Sequence, residues 1–321
     1  MKFYPSLSDL PEDFGPSAVT IGKFDGVHVG HRRVIARLRE EAEAAGLVST
    51  VLTFDRHPLA LLRPEQCPES LTSNEQKRAV LETTGIDTAV MIEFTRALSL
   101  ERPEEFVRDV LVDALHAKLV FVGPDFRFGH RGLGTVEQLE GLGEANGFAV
   151  RTVDAVRPYG DRVISSTWIR ELLATGRVGE AAALLERAPT VRGVVVPGEH
   201  RGRELGYPTA NLARTVEGFV PADGIYAAYA TVDGRTMPAA VSIGNNPTFA
   251  GVPDRQIEAH LLDEDLDLYG KTVEIAFVDY IRAMEKFASV GELVTRMTVD
   301  EARVRELLRM PARTTPIGPR A

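Results

Sequence analysis

One cysteine, Cys67, occurs among the 321 residues, so no intrachain disulfide is available and no Cys-based zinc spacing exists. It lies in the Pro-rich stretch RPEQCPES and reads as a bystander. Basic residues are in deficit, with 37 Lys plus Arg against 46 Asp plus Glu and a formal net charge of −9. A general nucleic-acid binder carries a basic face, and an RNA- or DNA-binding barrel carries an aromatic stacking stripe; neither is visible here. A small phosphate site, needing only a few local donors, is not excluded. No apolar run approaches the roughly 18 residues of a membrane span. The first residues, MKFYPSLSDLPEDFG, have no apolar core and no cleavage-like pattern, so a cytoplasmic protein without membrane contact is expected.

What is present is a globular composition, 44% hydrophobic and 26% charged, in a chain long enough for two domains. From Ala18 to about Val153, short apolar runs alternate with amphipathic stretches. Strands are expected at Ser17–Ile21, Val48–Thr53, Thr88–Ile92, Leu119–Val122 and Ala149–Val153. Helices are expected over Val29–Ala45, from about Ser73, over Pro103–Leu115 and over Thr135–Ala145. That alternation implies a parallel sheet with helices on both faces. A helical pattern follows Ser166 and stops at Pro189; beyond it the texture changes. Val191–Val196, Ile225–Val232, Met237–Ile243, Gln256–Leu262 and Thr272–Tyr280 are β-rich runs separated by Gly, Pro, Asn and Asp, the pattern of an antiparallel barrel or sandwich. A last helix is expected over about Val290–Leu308. The boundary is placed so that residues 1–186 and 187–310 form the two domains, with 311–321 a loose tail.

The stretch KFDGVHVGH, Lys23–His31, follows the first strand of the α/β half. Unpaired amides in a helix's first turn favour an anion. His28 and His31 are three apart, which on a helix puts their Cβ atoms roughly 5–6 Å apart on one face. Gly30 between them leaves room for close approach. Spacing alone suits a solvated helix start or one satisfied core histidine as well as a phosphate clamp; zinc would need a third ligand that is not nearby. Two later stretches shift the balance. VGPDFRFGHRGLGT, Val122–Thr135, again follows a strand and packs four glycines around Asp125, Arg127, His130 and Arg131. VISSTWIR, Val163–Arg170, opens a helix with Ser165, Ser166 and Thr167, residues that are also ordinary N-caps.

Together GKFDGVHVGH, TFDRHP (Thr53–Pro58), GPDFRFGHRGLGT and ISSTWIR resemble the adenylyltransferase module of the bacterial bifunctional riboflavin kinase/FMN adenylyltransferases, also called FAD synthetases. The resemblance implies a Rossmann-like nucleotidyltransferase domain in which the FMN phosphate attacks the α-phosphorus of ATP. His28 and His31 would hold the ATP phosphates and the transition state. Gly22, Phe24, Asp25, Gly30, Asp125, Arg127, Arg162, Ser166, Thr167 and Arg170 would line the ATP and FMN sites. Lys23 stands where this family often has Asn or a small residue, and Arg56 where Pro or a neutral residue is usual.

In the second half, GEHRGRELGYPTANL, Gly198–Leu212, is either a charged hairpin connection or a nucleotide loop. In the second case the Thr209 hydroxyl and Asn211 amide oxygen are hard-oxygen partners for Mg²⁺ alongside ATP. In QIEAHLLD, Gln256–Asp263, strand alternation puts Glu258 and His260 on one face. Glu258 is either a solvent-facing strand residue or a general base for an attacking hydroxyl. RGRELGYPTANL, PADGIYAAYA, VSIGNNPTF, IEAHLLD and LYGKTVEIAFVDYIR resemble riboflavin kinase, which implies a small six-stranded antiparallel β-barrel with a C-terminal helix, unlike P-loop kinases. By that resemblance Thr209 and Asn211 bind Mg–ATP and Glu258 deprotonates the ribityl 5′-hydroxyl. Gly198, Arg201, Gly202, Arg203, Gly206, Pro208, Asn246 and Thr248 would line the ATP and riboflavin sites. Asn245 stands where Thr is frequent. The implied activity is ATP- and Mg²⁺-dependent phosphorylation of riboflavin to FMN, then adenylylation of FMN to FAD. The implied partners are small molecules only, and the chain a monomer or weak homo-oligomer. The alternatives are a chain with one competent half and a non-catalytic flavin or nucleotide regulator.

Overall fold

The computed structural model describes residues 1–157, 162–198, 202, 205–245 and 255–311. The chain forms two compact units, Met1–Ser166 and Thr167–Ala321. The first is built on β1 (Lys2–Tyr4), β2 (Ser17–Ile21), β3 (Val48–Phe54), β4 (Thr88–Ile92), β5 (Ala117–Val122) and β6 (Ala149–Thr152). They form one parallel sheet in the order β1-β4-β3-β2-β5-β6. Helices α1 (Val29–Ala45), α2 (Pro58–Leu62), α3 (Asn74–Glu82), α4 (Pro103–Phe106) and α5 (Val136–Asn146) connect the strands.

The central strands read as unbroken apolar runs because both faces of a parallel sheet are covered. Successive residues point to opposite sides. Ala18, Val51, Ala89 and Phe121 share a core with Ile35, Leu38 and Ala42 of α1 and Leu81 of α3. Their neighbours Val19, Leu52, Val90 and Val120 share the other core with Phe106, Val107, Val110 and Leu139. Helix α1 ends at Gly46, whose left-handed backbone (φ 65°) caps its last carbonyls, and α3 starts on a Ser73–Gln76 capping box.

The second unit opens with α6 (Ser166–Ala174) and α7 (Val178–Leu185). Six strands follow: β7 (Thr190–Val196), β8 (Ala210–Leu212), β9 (Gly224–Val232), β10 (Arg235–Gly244), β11 (Gln256–Leu261) and β12 (Thr272–Arg282). They close an antiparallel barrel in the order β10-β11-β8-β7-β12-β9, and α8 (Val290–Leu307) follows. Val304 of α8 packs with Ala227 and Leu262 of the barrel. Both pairs of the closing seam run through long registers, Arg235↔Val232 to Ile243↔Gly224 between β10 and β9 and Glu274↔Thr231 to Arg282↔Ile225 between β12 and β9.

Three features differ from the expectation. Strand β1 pairs with β4 at the sheet edge and is too short, at three residues, to show a period. The element starting at Pro103 is α-helical only to Phe106 and widens to a π-helix over Val107–Ala114. Helix α2 has no counterpart among the expected helices; Pro58 at its first position starts it. The expected loose tail lies outside the described residues, apart from 311. Among the described residues no helix is long and apolar enough to cross a membrane.

Leu38 is fully buried between α1 and the sheet. Leu38→Ala is expected to destabilise the first unit by about 2–5 kcal/mol, read as a lower midpoint in urea unfolding; an unchanged midpoint would contradict this core assignment.

Candidate active sites

Sheet order reverses at β2. From β2 the chain steps to β3 and β4 on one side, while β5 and β6 lie on the other. The carboxyl ends of β2 and β5 therefore flank the crevice where open α/β sheets collect ligands. Past Ile21, the Gly22 N–H donates to the Leu52 carbonyl at 3.1 Å. The turn that follows puts Phe24, Gly26 and Val27 at φ of 48°, 78° and 39°. Two of these are side-chain-bearing residues in a sparsely occupied region, held there because Phe24 and Val27 are buried in the core. Asp25 braces the turn, its Oδ1 accepting from Leu71 N at 2.9 Å and its carbonyl from Ser166 Oγ at 2.9 Å.

The two histidines meet, but not as neighbours on one helical face. His28 is the N-cap of α1, with extended backbone (φ −72°, ψ 173°), and its Nδ1 accepts from the His31 N–H at 3.4 Å. That conformation lays the rings face to face, 3.8 Å apart and 17° from parallel, with Phe24 4.9 Å from His31. Gly30 lies tightly against the stack: a Cβ there would sit 3.1 Å from the His28 ring. His31 Nδ1 is buried with no hydrogen-bond partner among the described residues. Burial, then His28, Lys23 and Lys77, holds the His31 pKa well below the usual imidazole value. The sequence reading missed Lys77. It is buried on α3 and donates to the Phe54 carbonyl at 2.7 Å. Burial lowers its pKa, against the pull of Asp25 and Asp55. Its signal was available, because Lys77 falls on the same stripe as buried Leu81 four residues on.

Beside the histidines the crevice opens into a cavity of about 490 Å³. Its walls are aromatic, with Phe54, Phe94 and Phe106 from separate segments and Phe126 and Phe128 from one loop. Phe126 stacks on Phe128 at 5.7 Å, and Phe54 meets Phe94 edge-on at 5.6 Å. Lys23, His57, Asp125, Arg127 and Arg131 supply its polar groups. The loop carrying Asp125 and Arg127 is closed by Phe128 and Gly134, each donating its N–H to the other's carbonyl. Gly129 there, at φ 68°, passes so close to the Pro103 backbone that a side chain would collide. Arg162 is exposed, directly after residues 158–161, which lie outside the described residues. Thr167 and Arg170 sit on α6 in the second unit.

In the barrel, register places Glu258 of β11 opposite Asn211 of β8 on one side and Ser242 of β10 on the other. The Asn211 amide approaches Thr209 Oγ1 at 3.5 Å. Glu258, Thr209 and His260 line one cavity of about 120 Å³, while Thr209 and Asn211 line another of about 220 Å³, so Thr209 borders both. His260 Nδ1 pairs with the Pro208 carbonyl at 2.8 Å, and the Tyr207 ring meets it edge-on at 5.1 Å. Gly198 lies so near the Asn211 amide, and Gly202 so near the Tyr207 carbonyl, that a Cβ at either would overlap them. Gly206 turns the chain at φ 83°. The sequence reading missed Arg282 and Asp300, a buried bidentate pair (2.6–3.0 Å) on the wall of the Glu258 cavity. Arg201, Arg203, Asn246 and Thr248 lie outside the described residues. No cluster of three or more His, Cys, Asp or Glu side chains suited to a metal occurs among the described residues. The neutral oxygens of Thr209 and Asn211 do fit a magnesium ion carried mainly by nucleotide phosphates.

Comparison with known proteins covers both halves of the chain. A FAD synthetase family model matches residues 10–168 and a riboflavin kinase family model residues 185–308. The bifunctional riboflavin kinase/FMN adenylyltransferase of Escherichia coli K12 is 36% identical over 94% of this chain and 95% of its own. This chain belongs to that family. Relatives of the same description from Pseudomonas fluorescens and Bacillus subtilis are 36% and 32% identical, covering 96% and 91% of this chain and 98% and 92% of their own. A solved structure described as a macrolide-efflux protein from Streptococcus pneumoniae superposes with a TM-score of 0.84 at 31% identity, over 95% of this chain and 98% of that one.

The His31 environment has a consequence for pH dependence. Folded His31 resists a proton that the unfolded chain accepts below about pH 6.5. Its contribution to stability is therefore complete above that value and is lost as pH falls toward the lowered folded pKa. Thermal midpoints of wild type are expected to fall more steeply between about pH 7 and pH 5 than those of His31→Gln, which cannot titrate. Parallel profiles would contradict this.

Proposed function

We propose that this chain makes FAD from riboflavin in two steps, using one ATP in each. The observation that carries the reading is the presence, on one chain, of a stacked histidine pair at the switch point and of Glu258, Thr209 and Asn211 around one barrel seam.

The first reaction is assigned to the barrel, residues 187–310. Glu258 takes the proton of the ribityl 5′-hydroxyl, whose oxygen attacks the γ-phosphorus of ATP; the O–P bond to ADP breaks and FMN forms. Glu258 borders the same cavity as Thr209, and Thr209 also borders the neighbouring one, so the two substrates meet across this residue. Thr209 and Asn211 would hold Mg²⁺, whose chemistry is to neutralise phosphate charge. The second reaction is assigned to residues 1–186. An FMN phosphate oxygen attacks the α-phosphorus of a second ATP and pyrophosphate leaves. Little covalent help is required; alignment and stabilisation of spread negative charge are. His28 Nδ1 already accepts a backbone N–H, so its neutral ring carries a proton on Nε2 to offer to a phosphate. The aromatic cavity suits the flat, apolar isoalloxazine, with Asp125 and Arg127 beside it. Ser166 holds the turn that presents the histidines.

Glu258→Ala is expected to lower FMN formation by about 10²–10³-fold while FAD synthesis from supplied FMN continues. His28→Ala or His31→Ala is expected to do the reverse by a similar factor of about 10²–10³. Flavins resolved by chromatography read both; equal loss of the two activities in a folded variant would contradict separate sites.

A further inference from the structure

Strand β11 pairs antiparallel with β8 through Glu258↔Asn211 and Ala259↔Ala210. One further step of that register would set His260 opposite Thr209, but β8 begins at Ala210 and the ladder stops there. The His260 side chain takes over where the backbone pairing ends. It is buried, and its Nδ1 lies 2.8 Å from the Pro208 carbonyl oxygen. A carbonyl only accepts, so Nδ1 carries the proton and donates it. Because the peptide unit is planar, fixing the Pro208 carbonyl also fixes the direction in which the chain enters Thr209. The histidine is steadied from two sides. Its backbone stands opposite Ala240 of β10 in the barrel wall. Tyr207, next to Pro208, meets its ring edge-on at 5.1 Å and shares a 3.0 Å hydrogen bond with the Thr298 hydroxyl of α8.

Resting on the phosphorylation reading above, we propose that His260 is a positioning residue for phosphoryl transfer to riboflavin: its Nδ1–H holds the Pro208–Thr209 peptide to strand β11, so that the Thr209 hydroxyl keeps a fixed place relative to Glu258. Glu258 is two residues away on the same strand and the same face, so base and anchor belong to one rigid element. Thr209 lies in a connection rather than in a strand. Without the histidine bond, β11 restrains the chain only from Ala210 onward, and Thr209 gains freedom between the two cavities it borders. Phosphoryl transfer needs alignment more than covalent help, so that freedom costs turnover rather than riboflavin binding.

The test compares three substitutions in the full chain. Asparagine places an amide nitrogen where His260 has Nδ1, glutamine places one where it has Nε2, and leucine has neither. His260→Leu is expected to lower kcat for FMN formation about 10-fold with little change in the KM for riboflavin. His260→Asn should restore most of that loss and His260→Gln should not. In a Thr209→Val background His260→Leu should add no further loss, because the two act in series. Hydrogen exchange of the free protein gives a readout apart from activity: amides of Thr209 to Asn211 should exchange faster in the Leu and Gln variants than in wild type or Asn, while those of β9 and β10 stay protected and report a folded barrel. Where the Leu variant fails to fold, Asn against Gln decides. Rescue by Gln and not Asn, equal loss in both, a defect confined to the KM for riboflavin, additive losses with Thr209→Val, or unchanged exchange at Thr209 to Asn211 in a folded Leu or Gln variant would each overturn the proposal. A wild type that forms no FMN sinks the phosphorylation reading itself, which is a different failure.

Discussion

Strand β2 has a neighbour on each side, and the chain departs from it in both directions. That reversal is the constraint on which the first unit depends. It forces the loops after β2 and β5 apart, opens the sheet's carboxyl edge, and gives the residues after Ile21 a crevice to line. The strained turn at Phe24–Val27 exists because burial of those two side chains outweighs the backbone cost. Its effect is to deliver His28 as a cap rather than as a helical residue, and the histidine stack follows from that. Lys77 beneath β3 and the brace from Ser166 to Asp25 hold the same region from below and behind.

The second unit solves a different problem. A closed six-stranded barrel has no edge, so its functional groups must face cavities at strand seams. β8 is only three residues long, yet it sets the register that brings Asn211 opposite Glu258. The Arg282–Asp300 pair and the Arg305–Asp263 pair tie α8 to the barrel, Arg305 also pairing with Glu301 on its own helix, and α8 forms part of the wall of the Glu258 cavity. Removing one partner of such a pair leaves a buried charge, which is costly.

Much of this was legible in the residues. The α1 bounds, Val29 to Ala45 with Gly46 as terminator, follow from local rules of capping and glycine conformation. The barrel's longer strands show their period, and the alternation placing Glu258 and His260 on one face agrees with both lining one cavity. What escaped was non-local. Five phenylalanines meet in one cavity from segments up to 74 residues apart, Phe54 to Phe128, and no local pattern marks them. Strand β8 is shorter than any usable period, and the Arg282–Asp300 pair joins a strand end to a helix 18 residues on. The histidine stack depended on a cap that spacing alone does not distinguish from a first helical turn.

The central claim is that one chain performs the two reactions in order at separate sites. The most direct measurement is a time course of the wild-type chain with riboflavin, ATP and Mg²⁺, resolving riboflavin, FMN and FAD. The account predicts that FMN rises first and FAD follows after a lag, with ADP and pyrophosphate released in turn. Riboflavin left unchanged, or FMN that accumulates with no FAD, would contradict it.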